Sequence, residues 1–400
     1  MSTSQVSVPD RPRVARPDWA RLLPRILAPV AALLLAVLIS SIVLLISGKS
    51  PTSAFSAMLD YGSQPESIVD ILNRSTDLYI AAVAVAIGFR MNLFNIGVDG
   101  QYRLATLLAA ALGAAPFLQG VPGILRILLI VVVAMAVGAF WAGVAAVLKI
   151  TRGVSEVIST IMLNFIGGQV AAYLLNHHLG VRIKGSNDIA TRVLPKDSWL
   201  SGMPLIPNAQ SNVNGFLVVA VLVGVGYWFL LGRTRFGFDL RAAGMNMSSA
   251  VASGVNARRM VLYAMLLSGA TAGLVGMSQL LGAQHAYSSA VGGIGFTAIG
   301  IALLGRNSPV GIALAALLWG FLDRSSLILD IEEIPKEIIQ IMQGTTVLAV
   351  VVAYELANQL GKRAQQRRVG AVVAESAPPP VTVPAGAGPS GAPNDDKERA

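Results

Sequence analysis

The chain has 400 residues, 54% of them hydrophobic and only 13% charged, with a mean hydropathy of +0.64. A soluble domain carries about 25% charged residues, so this composition excludes an ordinary soluble enzyme and points to an all-α polytopic membrane protein with one membrane domain. The net charge of +9 sits in arginines beside apolar runs, which marks membrane orientation rather than nucleic-acid binding, and the absence of cysteine excludes disulfides, thiol nucleophiles and Cys-based zinc sites.

Residues 1–25 read as a basic cytoplasmic tail with Arg11, Arg13, Arg16, Arg21 and Arg25. The apolar run 26–47 that follows is long enough to cross a hydrocarbon core of about 30 Å. It exceeds a typical signal h-region and no clean small-x-small site follows, so it reads as a retained first span. About ten transmembrane helices can be drawn: 26–47, 70–89, 97–115, 123–148, 156–177, 214–232, 259–282, 292–305, 308–322 and 337–357. With the N-terminus inside, Lys and Arg favour the inner loops roughly two to one, which places both termini in the cytoplasm. Residues 48–69 and 178–213 become outer segments, and 233–258 becomes the longest internal loop. The stretch 323–336, DRSSLILDIEEIPK, reads as an acidic amphipathic segment at the outer surface. Residues 358–400 are rich in Pro, Gly and Ala and read as a disordered cytoplasmic tail. The membrane-spanning body is thus 26–357.

ISGKSP at 46–51 imitates the end of a phosphate-binding loop. The glycine required five residues before Gly48 is Val43, so no such loop is present and the chain itself is not expected to bind ATP. The histidines His177, His178 and His285 have no second ligand at metal spacing, and no metal site is expected.

FRMNLFNIGVDGQYRLATLL, residues 89–108, places Asn92, Phe94, Asn95, Asp99 and Gln101 between two apolar runs. Two readings stand. The stretch is an internal turn with a helix cap, in which Asp99 is favoured by the helix dipole; or it is a functional break within the membrane, where bare backbone survives only if buried in protein or facing water. A second Gly-rich break, GAQHAYSSAVGGIGFTAIGIALLG at 282–305, lies at the matching place in the other half. Interrupted segments in two halves of opposite orientation mark an inverted-repeat transporter. On the fifth span, Glu156, Ser159, Thr160, Asn164 and Gln169 lie on or near one face. Glu156 reads as a cap or a pathway residue, and Asn164 as an interhelical hydrogen bond or a ligand contact. Gln279 and His285 line a pathway or face water. Candidate pathway residues are therefore Asn92, Phe94, Asn95, Asp99, Gln101, Asn164, Gln279 and His285.

The internal loop RTRFGFDLRAAGMNMSSAVASGVNARRM, residues 233–260, is long enough for a short helix under the membrane, with Asn246 placed to cap it and Gly244 and Gly254 bracketing it. FNIGVDGQ (94–101), SEVISTIMLNFI (155–166), DLRAAGMNMSSAVASGVNARR (239–259) and GFTAIGIALLGRNSPVG (295–311) resemble the permease subunits of bacterial ABC importers, in the branch serving nucleosides, ribose and other simple sugars. The resemblance covers roughly 70–357 and is nearest to the nucleoside-type members. It departs where Asp99 replaces a usual Glu, where Thr297 stands at an often acidic position, and where Ser155 replaces the usual Asn before Glu156.

That resemblance implies a cytoplasmic coupling helix seated in a groove of an ATP-hydrolysing subunit, with Arg241, Ala242, Gly244, Asn246, Ala250, Gly254 and Val255 in the coupling role. It also implies two cytosolic ATPase subunits or domains that bind the ATP, a second, similar but non-identical permease chain, an extracytoplasmic substrate-binding lipoprotein and no cofactor of the chain's own. Alternating access would then pass a neutral polar solute across the cytoplasmic membrane. A permease of the same architecture for another solute, such as a branched-chain amino acid, is the nearest alternative. An ion-coupled secondary transporter is the rival of another class, and it needs an acidic group deep in a span. By sequence only Asp99 and Glu156 qualify, both near inner ends.

Overall fold

The computed structural model describes residues 34–183, 188–288, 293–331 and 337–349, together with 334, 352 and 359. Two compact units are distinguished, 27–353 and one formed by 1–26 with 354–400. The second lies almost wholly outside the described residues, as do the expected basic tail at 1–25 and Pro/Ala-rich tail at 358–400.

The first unit is helical. Helix α1, Leu34–Ile46, is turned by 118° from α2, Pro51–Gly62, across Gly48 at φ +72. The segment expected as an outer loop therefore contains a helix, started by Pro51, whose missing N–H costs nothing at a first helical position. Helix α3 (Pro65–Arg90) begins on a second proline and is longer than the expected 70–89. It is followed by α4 (Val98–Gly113), α5 (Gly123–Arg152) and α6 (Glu156–Leu174). A π turn over Leu175–Leu179 leads into a small antiparallel ribbon, β1 (Gly180–Arg182) against β2 (Ile189–Thr191), in the register Gly180 to Thr191. Helices α7 (Phe216–Arg233), α8 (Arg235–Met245), α9 (Met247–Ala252), α10 (Ala257–Gly273), α11 (Met277–Gly282), α12 (Ile294–Leu304) and α13 (Pro309–Ile331) complete the order. Residues 337–349 are again helical, and we label them α14.

Among the described residues six helices are long and apolar enough to cross a bilayer, or seven if the bent pair α1–α2 is one span. Two of the segments drawn as spans are too short for that. Helix α4 has 16 residues and α12 has 11, so at about 1.5 Å per residue neither crosses a 30 Å core alone. Conversely α13 runs unbroken to Ile331, absorbing most of the amphipathic segment expected at 323–336.

Helix α3 and the α10–α11 pair are central and mostly buried, whereas α5, α6 and α7 turn long apolar faces outward. Val132, Phe140, Phe165, Val221 and Phe229 are exposed there, as expected where the surrounding solvent is hydrocarbon. Close packing relies on small residues. A Cβ added at Gly138, Gly269 or Gly273 would collide with the backbone of the opposite helix, so α5 and α10 touch chain to chain.

Candidate functional site

The sequence-predicted residues fall into four places. Asn92 and Phe94 lie on the exposed turn that follows Arg90, Asn92 at φ +57 and Phe94 edge-on to Phe89 at 5.1 Å. Asn95, Asp99, Gln101 and Asn164 form a buried knot. Gln279 borders a cavity. His285 belongs to the chain that covers this cavity.

The knot explains the interrupted segments. Asn95 and Gln101 exchange both hydrogen bonds, at 2.9 and 2.8 Å. Asn95 Nδ2 also donates to Ser268 Oγ at 2.9 Å, and Asn95 Oδ1 accepts from the Gly97 amide at 3.2 Å. Ser268 passes the chain on to the Ala84 carbonyl at 2.6 Å. The amide of Asn95 has thus filled its two donor and two acceptor positions. Asp99 Oδ1 accepts from the Gly295 amide of α12 at 3.1 Å. A Cβ at Gly295 would lie 2.8 Å from the Asp99 nitrogen, so only glycine permits this approach. The N-termini of α4 and α12 therefore meet, and the Asp99 carboxylate sits where both helix dipoles favour negative charge. From that joint the two short helices run to opposite faces. The end of α4 reaches Leu194 of the outer loop, while α12 ends at a turn where Arg90 donates to the Asn307 carbonyl at 2.6 Å.

Asn164 serves helix packing. Its Oδ1 accepts from the Gly100 amide, and a Cβ at Gly100 would stand 2.9 Å from the Asn164 backbone. Of the two sequence readings for Asn164, the interhelical bond is the one observed. Glu156 opens α6, makes no capping hydrogen bond there and is paired with Lys149 on α5.

The cavity brings Gln279 together with residues that the sequence reading passed over. About 40 Å³ is enclosed between α3, α4, α11 and the 284–288 segment, lined among others by Asp77, Tyr102, Thr106, Gln279, Gln284 and Tyr287. Asp77 lies mid-way along α3 and is 1% exposed. It accepts from Ser278 Oγ and from Gln279 Nε2 at 3.1 Å. Both donors stand at the start of α11, immediately after the break at 274–276 that divides the seventh expected span. The sequence reading admitted only Asp99 and Glu156 as acidic groups in spans; Asp77 corrects that. Its signal was available, since a carboxylate thirteen residues before Arg90 and followed by the apolar run 78–89 cannot lie at a helix end.

Residues 189–200 of the outer loop cover the cavity. Thr191 N donates to the Tyr287 carbonyl at 2.9 Å, Leu194 N to the His285 carbonyl at 2.8 Å and Leu200 N to the Leu281 carbonyl at 2.8 Å. The Trp199 ring stacks on His285 at 3.7 Å and 4°. His285, at φ +56, is held below the ordinary imidazole pKa by burial. Arg126, 1% exposed, ties Asp197 (2.6 Å) and Ser198 (2.9 Å) of the loop to the α4–α5 connection, where it donates to the Leu118 and Val121 carbonyls.

On the opposite face Asn246 closes α8 and caps α9, its Oδ1 accepting from the Ser249 amide at 3.0 Å. Gly254 at φ +85 ends α9, and Val255 N returns to the Ala250 carbonyl at 3.0 Å, a Schellman closure. The short helix and its bracketing glycines are those the sequence indicated; α8 in front of it was not. A Cβ at Gly244 would lie 2.7 Å from the Arg90 carbonyl and 2.8 Å from Met91 Cα, so the α8–α9 corner rests on the root of the 91–97 segment. Ala250 is buried and Arg241 half-buried, while Phe238, Met245, Met247 and Val251 are exposed. Among the described residues no cluster of three metal-binding side chains occurs.

A helical bundle of this kind, with broken central segments and a buried carboxylate beside an internal cavity, fits a multi-pass membrane transport protein. Residues 67–351 match the family model described as branched-chain amino acid transport system / permease component, and the chain belongs to that family. It is a transport subunit rather than a hydrolase. Curated relatives include the guanosine ABC transporter permease NupP of Bacillus subtilis, 32% identical over 85% of this chain and 97% of the relative. The nucleoside permease NupB of Lactococcus lactis is 29% identical over 84% and 94%, and the glucose permease TsgB13 of Haloferax volcanii is 29% identical over 84% and 90%. No solved structure matches the chain.

Proposed function

We propose that the chain is the membrane-spanning subunit of an ATP-driven importer for nucleosides, with a simple sugar as the nearest other cargo. The observation that carries the choice of solute is the chemistry of the cavity. Its described lining holds one carboxylate with hydroxyls, amides and two tyrosine rings, and no Lys or Arg. Such a wall offers acceptors and flat apolar surface to a neutral, hydroxylated, aromatic solute. A branched-chain amino acid could offer its ammonium to Asp77, but its carboxylate would meet no Lys or Arg in the described lining. The similarity to NupP and NupB points the same way.

The 180–213 face is then extracytoplasmic and receives cargo from a lipoprotein receptor, and both termini are cytoplasmic in the plasma membrane. The α8–α9 corner receives the stroke of ATPase subunits, which bind the ATP, and Arg241, Gly244, Asn246, Ala250, Gly254 and Val255 form or shape that contact. A second, similar permease completes the pathway. Closure of the ATPases displaces α9, Gly244 presses on Met91, and the 91–97 segment moves the joint at Asp99. The opening of the cavity follows from that displacement. Asn92 and Phe94 flank the inner exit, and Gln279 and His285 the outer entrance.

Uptake of labelled guanosine, glucose and leucine in cells lacking and regaining this gene tests the reading. Energy-dependent nucleoside uptake is expected to return with the gene. Restoration of leucine uptake alone, or accumulation by the purified chain in vesicles without any ATPase, would overturn it.

A further inference from the structure

We infer that Asp77 is the group by which the pathway recognises its cargo, accepting two adjacent donors from one edge of the substrate. The inference rests on the nucleoside reading above and adds the contact that the reading leaves unnamed.

An ionisable group inside a membrane bundle is costly, and it persists where it is paired or functional. Among the described residues Asp77 makes no ion pair, and Arg74, one turn earlier on α3, is paired with Asp323 at 2.9 Å. What holds the carboxylate is one hydroxyl on Oδ1 and one amide on Oδ2. A carboxylate accepts about four hydrogen bonds, two on each oxygen. One position on each oxygen therefore remains, which is the fork that a pair of parallel donors fits. Asp77 also borders the cavity, with Tyr102 and Tyr287 among the walls.

If Asp77 were only a staple between α3 and α11, it would need no enclosure beside it. The cavity, at about 40 Å³, holds little more than one water. Cargo enters when the 281–288 segment and the loop paired with it move away. Two parts of a nucleoside present adjacent donors. One is the vicinal diol of ribose, the other the N1–H and 2-amino group of guanine. The recognised chemistry is common to both.

The test compares D77N with the native chain in otherwise intact cells, so that receptor, ATPase and second permease are unchanged. Saturating uptake of guanosine, 2′-deoxyguanosine and inosine is measured, and the ratios between them are read because ratios do not depend on how much protein inserts. Expected is a fall of about tenfold or more for guanosine, with less than threefold change for the analogue that lacks the recognised donors. A spared 2′-deoxyguanosine assigns the diol, and a spared inosine assigns the guanine edge. An equal effect of D77N on active uptake of all three, or no effect, overturns the inference. Should D77N be inert, D77E decides, since it keeps the carboxylate and lengthens the side chain by one methylene. A change in the substrate ratios of about threefold or more supports recognition, whereas unmoved ratios or a complete loss of uptake shows a staple and overturns it. Native cells that take up no nucleoside sink the nucleoside reading and this inference together; uptake with ratios unmoved in an active D77N sinks this inference alone.

Discussion

The knot at Asn95 and the cavity at Asp77 are both polar, both buried and both built around an interrupted helix, yet they are opposites. In the knot the amide of Asn95 is fully committed to protein, glycine contacts leave no room, and the groups lock two helix ends together. Around Asp77 two internal donors leave capacity over, and the chain keeps space beside it. A saturated polar cluster holds its elements fixed, whereas an unsaturated one next to a void keeps acceptors open to a solute.

The contrast can be broken most forcefully at the joint. Gly295→Val pushes a side chain toward the Asp99 backbone at 2.8 Å. We expect it to cost about 3 kcal/mol, read as a lower Tm in detergent with uptake of every substrate lost in parallel; loss of one substrate alone would move the knot into the recognition class. Gly244→Val strikes the Arg90 carbonyl at 2.7 Å. It is expected to reduce uptake and substrate-stimulated ATP hydrolysis of the assembled transporter about tenfold while the protein still inserts, and normal transport would remove the α8–α9 corner from the coupling path. Asn164→Ala strips the Gly100 amide of its acceptor, with an expected destabilisation of about 1–3 kcal/mol and unchanged substrate ratios; altered ratios would return Asn164 to the pathway.

The smallest effect is one of pH. His285 has its pKa lowered by burial, so folding of the loop favours the neutral ring. That preference is fully expressed above the unfolded value of about 6.5 and is lost as pH falls through it, because the unfolded form then takes up the proton first. Hydrogen exchange over 189–200 should quicken modestly below that pH and stay level in His285→Phe, which keeps a ring on Trp199 without titrating.

Much of this was legible beforehand. Apolar runs announced the bundle, and the Gly-rich interruptions announced broken helices, because backbone chemistry leaves few ways to break a helix in oil. Asn246 and Gly254 stood out because capping obeys local rules. What stayed hidden depends on contacts far along the chain. That Asp99 meets Gly295, 196 residues away, has no local signature. Asp77 was passed over because a lone carboxylate in an apolar run forms no motif; only the fold brings Ser278 and Gln279 to it. Asn164, prominent in a telling stretch, accepts from the Gly100 amide of a neighbouring helix.

The glycine contacts between α5 and α10 have a mechanical meaning. Where two backbones touch without side chains between them, there is no layer that can slide or repack. Those helices are expected to act as a keel, so that a cross-link between them leaves the transport cycle running.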